Sequence, residues 1–296
     1  MTRFDRDARR RLKNLIMMGL AVACILVALI PLGSILYTVA VQGASVLNGA
    51  FFTNVQPDPC SPSPLATCSQ GGIANALVGT LLLLALSCLI AIPLGILTGI
   101  YLAEYGRGFM VRSVRFLADV MTGLPSVLMG MFVYSSFLIV SPGRVFSLLA
   151  GSLALAVLML PFVARTTEES LRLVPNSLRE AALALGLPRF RVTGRVVLSS
   201  ARDGVITGAI LSMARAGGET APLIMTAFGN PFMATSLDQP IQSMSLLIYR
   251  FAASPYANWN ALAWGTALIL VIMMLGLSIA VRLLLRRRFR ERRIGA

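Results

Sequence analysis

The chain is far more apolar than a soluble domain and is strongly basic. Its 296 residues are 56% hydrophobic and only 13% charged, with a formal net charge of +14. This composition indicates an integral membrane protein. The basic residues lie between apolar stretches instead of on a soluble face, so they do not predict binding to nucleic acid.

Two missing features exclude several kinds of chemistry. The sequence contains no histidine, which is the commonest general base and metal ligand. Lys13 is the only lysine, so the chain has no Gly-x-x-x-x-Gly-Lys-Ser/Thr loop for ATP phosphates. We therefore predict no catalytic site, no metal site and no cofactor bound by this chain, and we expect ATP to be bound by another chain.

Six apolar stretches are long enough to cross roughly 30 Å of hydrocarbon, which takes about 20 residues. In chain order they lie near residues 15–41, 73–103, 117–140, 147–164, 204–228 and 261–285. The sequence therefore predicts an all-α, polytopic membrane protein with six transmembrane helices.

The basic residues predict the orientation of these spans. Of the 26 Lys and Arg residues, 23 lie in four regions, which are 1–14, 104–116, 165–203 and 282–296. Six crossings leave both termini on one side, and the positive-inside rule places all four regions in the cytoplasm. The external connections are then 42–72, 141–146 and 229–260.

The first external connection is rich in proline between Pro57 and Pro64 and holds two cysteines, Cys60 and Cys68. Proline prevents a helix there. On the oxidising side of the membrane the two cysteines are candidates for a disulfide that closes a short loop. Two free thiols are the alternative.

A short polar helix is predicted between the fourth and fifth stretches. Ser177 and Glu180 have the spacing of a capping box, whereas Gly186 followed by Pro188 is a stop signal. About eight residues, or roughly 12 Å, remain for the helix. A solvated connector is the alternative interpretation.

This segment resembles the EAA loop of bacterial ABC importer permeases. The resemblance rests on Glu180-Ala181-Ala182, then Gly186, Val196 and Leu198, with departures at Leu187 and Ser199. It implies that the helix docks in a groove of the ATP-hydrolysing subunit and couples that subunit to the spans. The coupling residues implied are Glu180, Ala181, Ala182 and Gly186.

Three further segments are similar to motifs of the permeases of the phosphate-specific importer. They are Leu160–Glu169, Asp119–Gly130 and Arg215-Ala-Gly-Gly-Glu219-Thr220-Ala-Pro222-Leu223. The Ala-Pro-Leu ending of the last favours the A-type permease over its C-type partner. The resemblance covers about residues 73–285 and implies a type I ABC importer permease fold.

The resemblance implies three regions and a set of partners. The regions are 1–72 with the first span and an external loop, 73–285 with the EAA loop at about 168–200, and a basic tail at 286–296. The partners are a homologous C-type permease, cytoplasmic subunits that hold ATP and Mg²⁺, and an external phosphate-binding protein. The substrate that the resemblance implies is inorganic phosphate, and the implied location is the bacterial cytoplasmic membrane. The alternatives are a permease for molybdate or sulfate, or a membrane scaffold or sensor of phosphate signalling.

The candidate substrate path centres on Arg215 and Glu219, together with Thr220. Arg215 lies about 11 residues into its stretch, roughly 17 Å at helical rise and hence near mid-bilayer. One interpretation is a structural ion pair, because residues four apart share a helix face. The other is a permeation path in which the forked donors of Arg215 bind phosphate oxygens and Glu219 limits how tightly they bind.

Arg165 is a second path candidate, with an interfacial anchor as the alternative. The charges of Asp119, Glu168 and Glu169 are interpreted as solvated groups at the membrane boundary. Gly123 and Pro125 are interpreted as helix-packing and kink residues.

Overall fold

The computed structural model describes residues 3–58 and 71–294, and within these ranges it is built from α-helices. In chain order they are α1 (Arg3–Ala44), α2 (Gly49–Thr53), α3 (Ala74–Ile100), α4 (Phe109–Gly123), α5 (Ser126–Val140), α6 (Leu148–Arg172), α7 (Asn176–Ala184), α8 (Arg189–Arg191), α9 (Leu198–Gly217), α10 (Ala221–Thr226), α11 (Met244–Ala252) and α12 (Ala257–Ile294). Two π-helical turns, Tyr101–Tyr105 and Val192–Val197, follow α3 and precede α9. Cys60 and Cys68 lie outside the described residues, so their disulfide stays a prediction.

Five segments of the described chain are long and apolar enough to cross a membrane, and α4 with α5 makes a sixth if the bent pair is one span. The five are Arg10–Ala44, Ala74–Tyr105, Leu148–Arg172, Arg189–Gly217 and Ala257–Ala280. The all-α membrane fold expected from the sequence is confirmed.

The third apolar stretch, expected at 117–140, begins earlier, at Phe109, and is bent at Pro125, in agreement with the interpretation of Pro125 as a kink residue. The axes of α4 and α5 differ by 110°. Leu124 is extended, with φ −75° and ψ 143°, and Pro125 follows it. A proline ring disfavours the helical region for the preceding residue and carries no N–H, so α4 ends here. A Cβ added to Gly123 would meet no atom within 4 Å, so this glycine marks no tight helix contact.

The fourth and fifth stretches also differ from the prediction. The fourth, expected at 147–164, extends as α6 to Arg172. The fifth, expected at 204–228, is divided into α9 and α10 by three residues after Gly217. The division coincides with the glycine pair and with Pro222 in the first turn of α10.

Helix α6 lies between α3 and α9, and glycines set the spacing on both sides. A Cβ on Gly95 would lie 2.7 Å from Val163 Cβ, and one on Gly99 would lie 2.6 Å from Thr167 Cβ. On α9, Gly204 and Gly208 pack against Ser170 and Thr166. Small residues allow such close backbone approach inside a membrane, where apolar surface alone does not drive helices together.

Within the predicted external connection 229–260, residues 241–247 are buried in the bundle, whereas most of 231–239 is exposed. The carbonyl oxygen of Gln242 lies where a Cβ on Gly79 would be. The N–H of Met244 donates to Thr80 Oγ1 at 2.8 Å, and Met244 is fully buried. Arg250, at the end of α11, donates to the carbonyl of Phe228, and burial lowers the pKa of its guanidinium.

Helix α1 contacts α12 near the end of α1. A Cβ on Gly43 would lie 2.7 Å from Leu268 Cβ. The described side chains before Val39 are almost all exposed in the isolated chain. The division into regions 1–72, 73–285 and 286–296 stays a prediction.

Candidate functional site

The interruption between α9 and α10 carries the residues predicted for the substrate path. The N–H groups of Gly218 and Glu219 donate to the carbonyls three residues earlier, at 3.1 and 3.2 Å. Gly217 packs so closely on Met274 of α12 that a side chain would overlap it. On the other side, a Cβ on Gly130 of α5 would lie 2.6 Å from Pro222 Cα. The interruption is therefore held by glycines between α5 and α12.

Arg215 and Glu219 form the ion pair that their spacing predicts. Arg215 Nε lies 3.5 Å from Glu219 Oε1, and the side chains are 51% and 17% exposed. This distance is longer than the ~2.7–2.9 Å of a strong charge-assisted hydrogen bond. The pair thus exists, but half of the Arg215 side chain remains accessible.

The depth of Arg215 follows from the register between α6 and α9. Gly204 packs against Ser170 and Gly208 against Thr166, so the two helices are antiparallel. Seven residues beyond Gly208 this register brings Arg215 to the level of Met159, near the middle of α6. Met159 and Ala216 belong to one buried cluster, as the register requires. Arg215 therefore lies near the middle of the bundle.

A residue of α11 that the sequence analysis did not single out contacts this site. Ser245 Oγ donates to the Glu219 carbonyl at 3.0 Å and is buried. Thr220, predicted for the path, is partly buried and precedes the first residue of α10, and its carbonyl accepts from Leu223 N at 3.1 Å. No local pattern reveals Ser245, because its partner lies 26 residues away.

Arg165 does not stand alone near the C-terminal end of α6. Its Nη2 lies 3.1 Å from Asp119 Oδ1, and its Nη1 lies 3.6 Å from Glu168 Oε2. Glu168 also accepts from Arg115 Nε at 2.7 Å and pairs with Arg172 at 2.8 Å. These five residues, Arg115, Asp119, Arg165, Glu168 and Arg172, form the α4–α6 ion-pair cluster.

The interpretation of Glu168 as a solvated boundary charge is wrong. Its side chain is 1% exposed and is surrounded by three arginines. Arg115, which brings α4 to it, also donates from Nη2 to the Leu102 carbonyl at 2.8 Å. A buried carboxylate requires such partners, because an unpaired charge out of water is strongly unfavourable. Within the described residues, no group of three or more His, Cys, Asp and Glu side chains is placed to hold a metal ion.

The short helix predicted between the spans is present as α7, but its start differs from the prediction. The residue before it is Pro175, and no side chain caps it, so the expected capping box of Ser177 and Glu180 is wrong. The end agrees with the prediction. Gly186 has φ +77° and its N–H donates to Leu183 O at 2.9 Å.

The four residues predicted for coupling have different surroundings. Glu180, Ala181 and Gly186 are exposed, whereas Ala182 is buried against the spans. Apolar side chains also project around α7, and the exposed ones are Leu173, Leu178, Leu183, Leu185 and Phe190. This face of α7 and the turn after it is an accessible, partly apolar surface.

Arg179 fixes α7 to the spans, and sequence reasoning missed it. Its Nη2 pairs with Glu104 Oε1 at 2.7 Å and donates to the Leu171 carbonyl at 2.7 Å. Glu104 belongs to the first π-helical turn, and Val192 of the second turn lines the same small cavity of about 70 Å³. The pair joins residues 75 positions apart, so only the folded chain reveals it.

One protein family and several individual proteins are similar to this chain, and all are membrane components of transport systems. The family model described as "Binding-protein-dependent transport system inner membrane component" matches residues 91–290. The phosphate transport system permease protein PstA of Pasteurella multocida is 42% identical, over 93% of this chain and 95% of that protein. The PstA of Yersinia pestis is 41% identical, over 96% of this chain and 93% of that protein. A probable PstA of Methanocaldococcus jannaschii is 35% identical, over 92% and 94%.

Solved structures show the same fold at low sequence identity. One is an inward-facing structure of the MetNI methionine ABC transporter, with a TM-score of 0.59 and 20% sequence identity. The match covers 72% of this chain and 95% of the transporter chain. Another is a bacterial alginate ABC transporter in complex with an alginate pentasaccharide-bound periplasmic protein, with a TM-score of 0.67 and 14% sequence identity. The match covers 97% of this chain and 98% of the transporter chain. The expected type I ABC permease fold is thus confirmed. The chain belongs to the family of binding-protein-dependent transport system inner membrane components and, within it, to the phosphate transport system permease proteins of the PstA type.

Proposed function

We propose that this chain is a permease subunit that moves inorganic phosphate into the cell. It forms half of a translocation path with a homologous C-type permease. Separate cytoplasmic subunits bind ATP and Mg²⁺ and supply the energy, and an external phosphate-binding protein delivers the anion. The relatives' names support the substrate, and the shared fold supports the role as a membrane subunit.

The half-exposed side chain of Arg215 near the middle of the bundle carries this proposal. An arginine facing lipid at that depth costs at least about 2.5–3.5 kcal/mol. Its exposed half must therefore face protein or a water-filled cavity. A second permease against this side would enclose the cavity, and the guanidinium fork matches the oxygens of phosphate.

Transport by the complete complex tests the proposal. We expect proteoliposomes that hold both permeases, the ATPase subunits and enclosed ATP to accumulate labelled phosphate when the binding protein is outside. Excess molybdate or sulfate should not reduce this uptake. Preferential accumulation of either competitor would instead identify a permease for another oxyanion. Intact assembly without any uptake would identify a scaffold.

The exposed face of α7 supports docking of the ATPase subunit. Arg179 holds the buried side of the helix on Glu104, while Glu180 and Ala181 point outward with the neighbouring leucines. Contiguous apolar surface of this kind marks an interaction site. Because Arg179 joins α7 to the end of α3, a push on α7 is passed directly to the spans.

Replacing Gly186 by valine tests coupling. Its φ of +77° is strained for any residue with a β-branched side chain, although a Cβ there would meet no atom within 4 Å. We expect the complex to assemble while phosphate-stimulated ATP hydrolysis falls roughly tenfold, as about 1.4 kcal/mol of lost coupling would cause. Gly143→Val is the control, because Gly143, between α5 and α6, has the same open space without a positive φ. Equal ATPase rates in the two variants would contradict the coupling role.

The proposed orientation has both termini in the cytoplasm. Single cysteines at Asn48 and Ser236, in a chain without native cysteines, are expected to react with an impermeant thiol reagent added to intact cells. All three test positions are exposed in the structure, and a cysteine at Ser177 on α7 should stay unmodified. Labelling at Ser177 without permeabilisation would reverse the orientation and remove α7 from the ATPase side.

A further inference from the structure

Two ion pairs one helical turn apart connect α4 and α6. In one, Arg115 of α4 binds Glu168 of α6 at 2.7 Å, and in the other, Asp119 of α4 binds Arg165 of α6 at 3.1 Å. Residues four apart share a helix face, so both pairs lie on one side of α4. The signs are opposite, because α4 supplies the cation in the first pair and the anion in the second.

The two pairs differ in burial and therefore in how easily they separate. Glu168 is 1% exposed, so water cannot replace Arg115, and separation would leave the buried carboxylate to Arg172 and the longer contact with Arg165. Asp119 and Arg165 are 54% and 34% exposed, so water can replace each partner. The first pair is a fixed connection between the helices, whereas the second can open while that connection persists.

Arg165 is also the next path candidate on the cytoplasmic side of Arg215. The register places Arg215 at the level of Met159, and Arg165 follows six residues along α6 toward the cytoplasmic end of that helix. Six residues correspond to roughly 9 Å of helical rise. Arg165 thus supplies a second, partly exposed guanidinium nearer the cytoplasm, and it is already paired with a carboxylate.

We propose that Asp119 is an exchangeable counter-ion of Arg165. While the path is empty its carboxylate occupies the guanidinium, and incoming phosphate displaces it. Glu168 attracts Arg165 during the exchange through Oε2, a buried oxygen that lies 3.6 Å from Nη1 and has no hydrogen-bond partner among the described residues. Because the carboxylate competes for the same donors, phosphate binds Arg165 weakly and leaves for the cytoplasm. This inference rests on the proposed function and makes Asp119 a positioning residue for release.

Inhibition by phosphate on the cytoplasmic side measures this competition. Proteoliposomes with the ATPase subunits and ATP inside are loaded with increasing internal phosphate, and initial uptake of labelled phosphate is recorded. In the Asp119→Asn variant the internal phosphate concentration that halves uptake should fall about tenfold, because one charge-assisted contact becomes available to the anion. In the double variant Arg165→Gln/Asp119→Asn, the internal phosphate concentration that halves uptake should no longer be lowered.

The controls separate this inference from a structural effect and from the proposed function. Asp203→Asn removes a comparable exposed carboxylate from α9 and should leave the half-inhibiting concentration unchanged. A purely structural role of Asp119 would lower uptake at every internal concentration without shifting that value, and this result would overturn the inference. Asp119→Ser replaces the asparagine variant if that one does not assemble. Absence of uptake by the wild-type complex would instead refute the phosphate permease itself.

Discussion

Replacement of Arg215 by glutamine is expected to lower phosphate uptake by roughly 100-fold, the usual loss when one preorganised donor to a developing or bound anion is removed. The charge of Arg215 is half exposed near the middle of the bundle, where the surrounding protein screens it less than water does. Membrane insertion and assembly should persist. Initial rates of labelled phosphate uptake at saturating binding protein are the measurement, with the amount of assembled complex as the normalisation.

The double variant Arg215→Gln/Glu219→Gln distinguishes a substrate contact from a structural ion pair. If the pair is only structural, the single change leaves Glu219 without its partner and neutralising both residues should restore transport. If Arg215 contacts phosphate, assembly recovers and uptake does not. Arg144→Gln is the control, because Arg144 forms an exposed ion pair with Asp238 and lies outside the path. Substantial uptake by the double variant would move the substrate contact to Arg165.

Replacement of Glu168 by alanine is expected to reduce the free energy of unfolding by about 2–3 kcal/mol, because its charge-assisted hydrogen bonds are lost while the arginines left behind are partly exposed. Arg115, Arg165 and Arg172 would all lose the carboxylate between them. Denaturant titration of the chain in detergent, read by tryptophan fluorescence and helical circular dichroism, gives the difference. The recovery of the assembled complex should fall in parallel.

The neighbouring Glu169 provides the matched control. It has the same charge on the same helix, but it is exposed, so Glu169→Ala should change the free energy of unfolding by less than about 0.5 kcal/mol. Arg115→Met combined with Glu168→Leu should recover part of the loss, because a buried pair replaced by apolar residues of similar volume is often tolerated. Equal stability of the two alanine variants would show that Glu168 is solvated.

The sequence predicts the existence of the spans better than their course. Hydropathy finds the apolar stretch around Pro125 and the proline predicts a kink, but neither gives the 110° angle, which depends on how α4 and α5 pack. The expected capping box failed for a related reason. Pro175 is already extended, with φ −59° and ψ 142°, so α7 starts one residue before Ser177.

Local spacing predicts contacts within one helix and misses contacts between helices. The pair of Arg215 with Glu219 follows from four-residue spacing, and the end of α7 follows from Gly186. The partner of Glu168 on α4 is 53 residues away, and that of Arg179 is 75 residues away. These pairs depend on how α3, α4, α6 and α7 pack, and no local pattern in the sequence contains that information.

The π-helical turn Val192–Val197 sets the rotational phase of α9. A π turn is one residue wider than an α turn, and one residue corresponds to about 100° of rotation around the helix axis. Arg215 follows this turn on the same helix, with α9 unbroken from Leu198 to Gly217. Tightening the turn into α geometry would thus rotate Arg215 by about 100°, away from its exposed position. The direction in which Arg215 projects from α9 is therefore set by a turn at the opposite end of that helix. This turn lies next to the surface where we propose that the ATPase subunit docks.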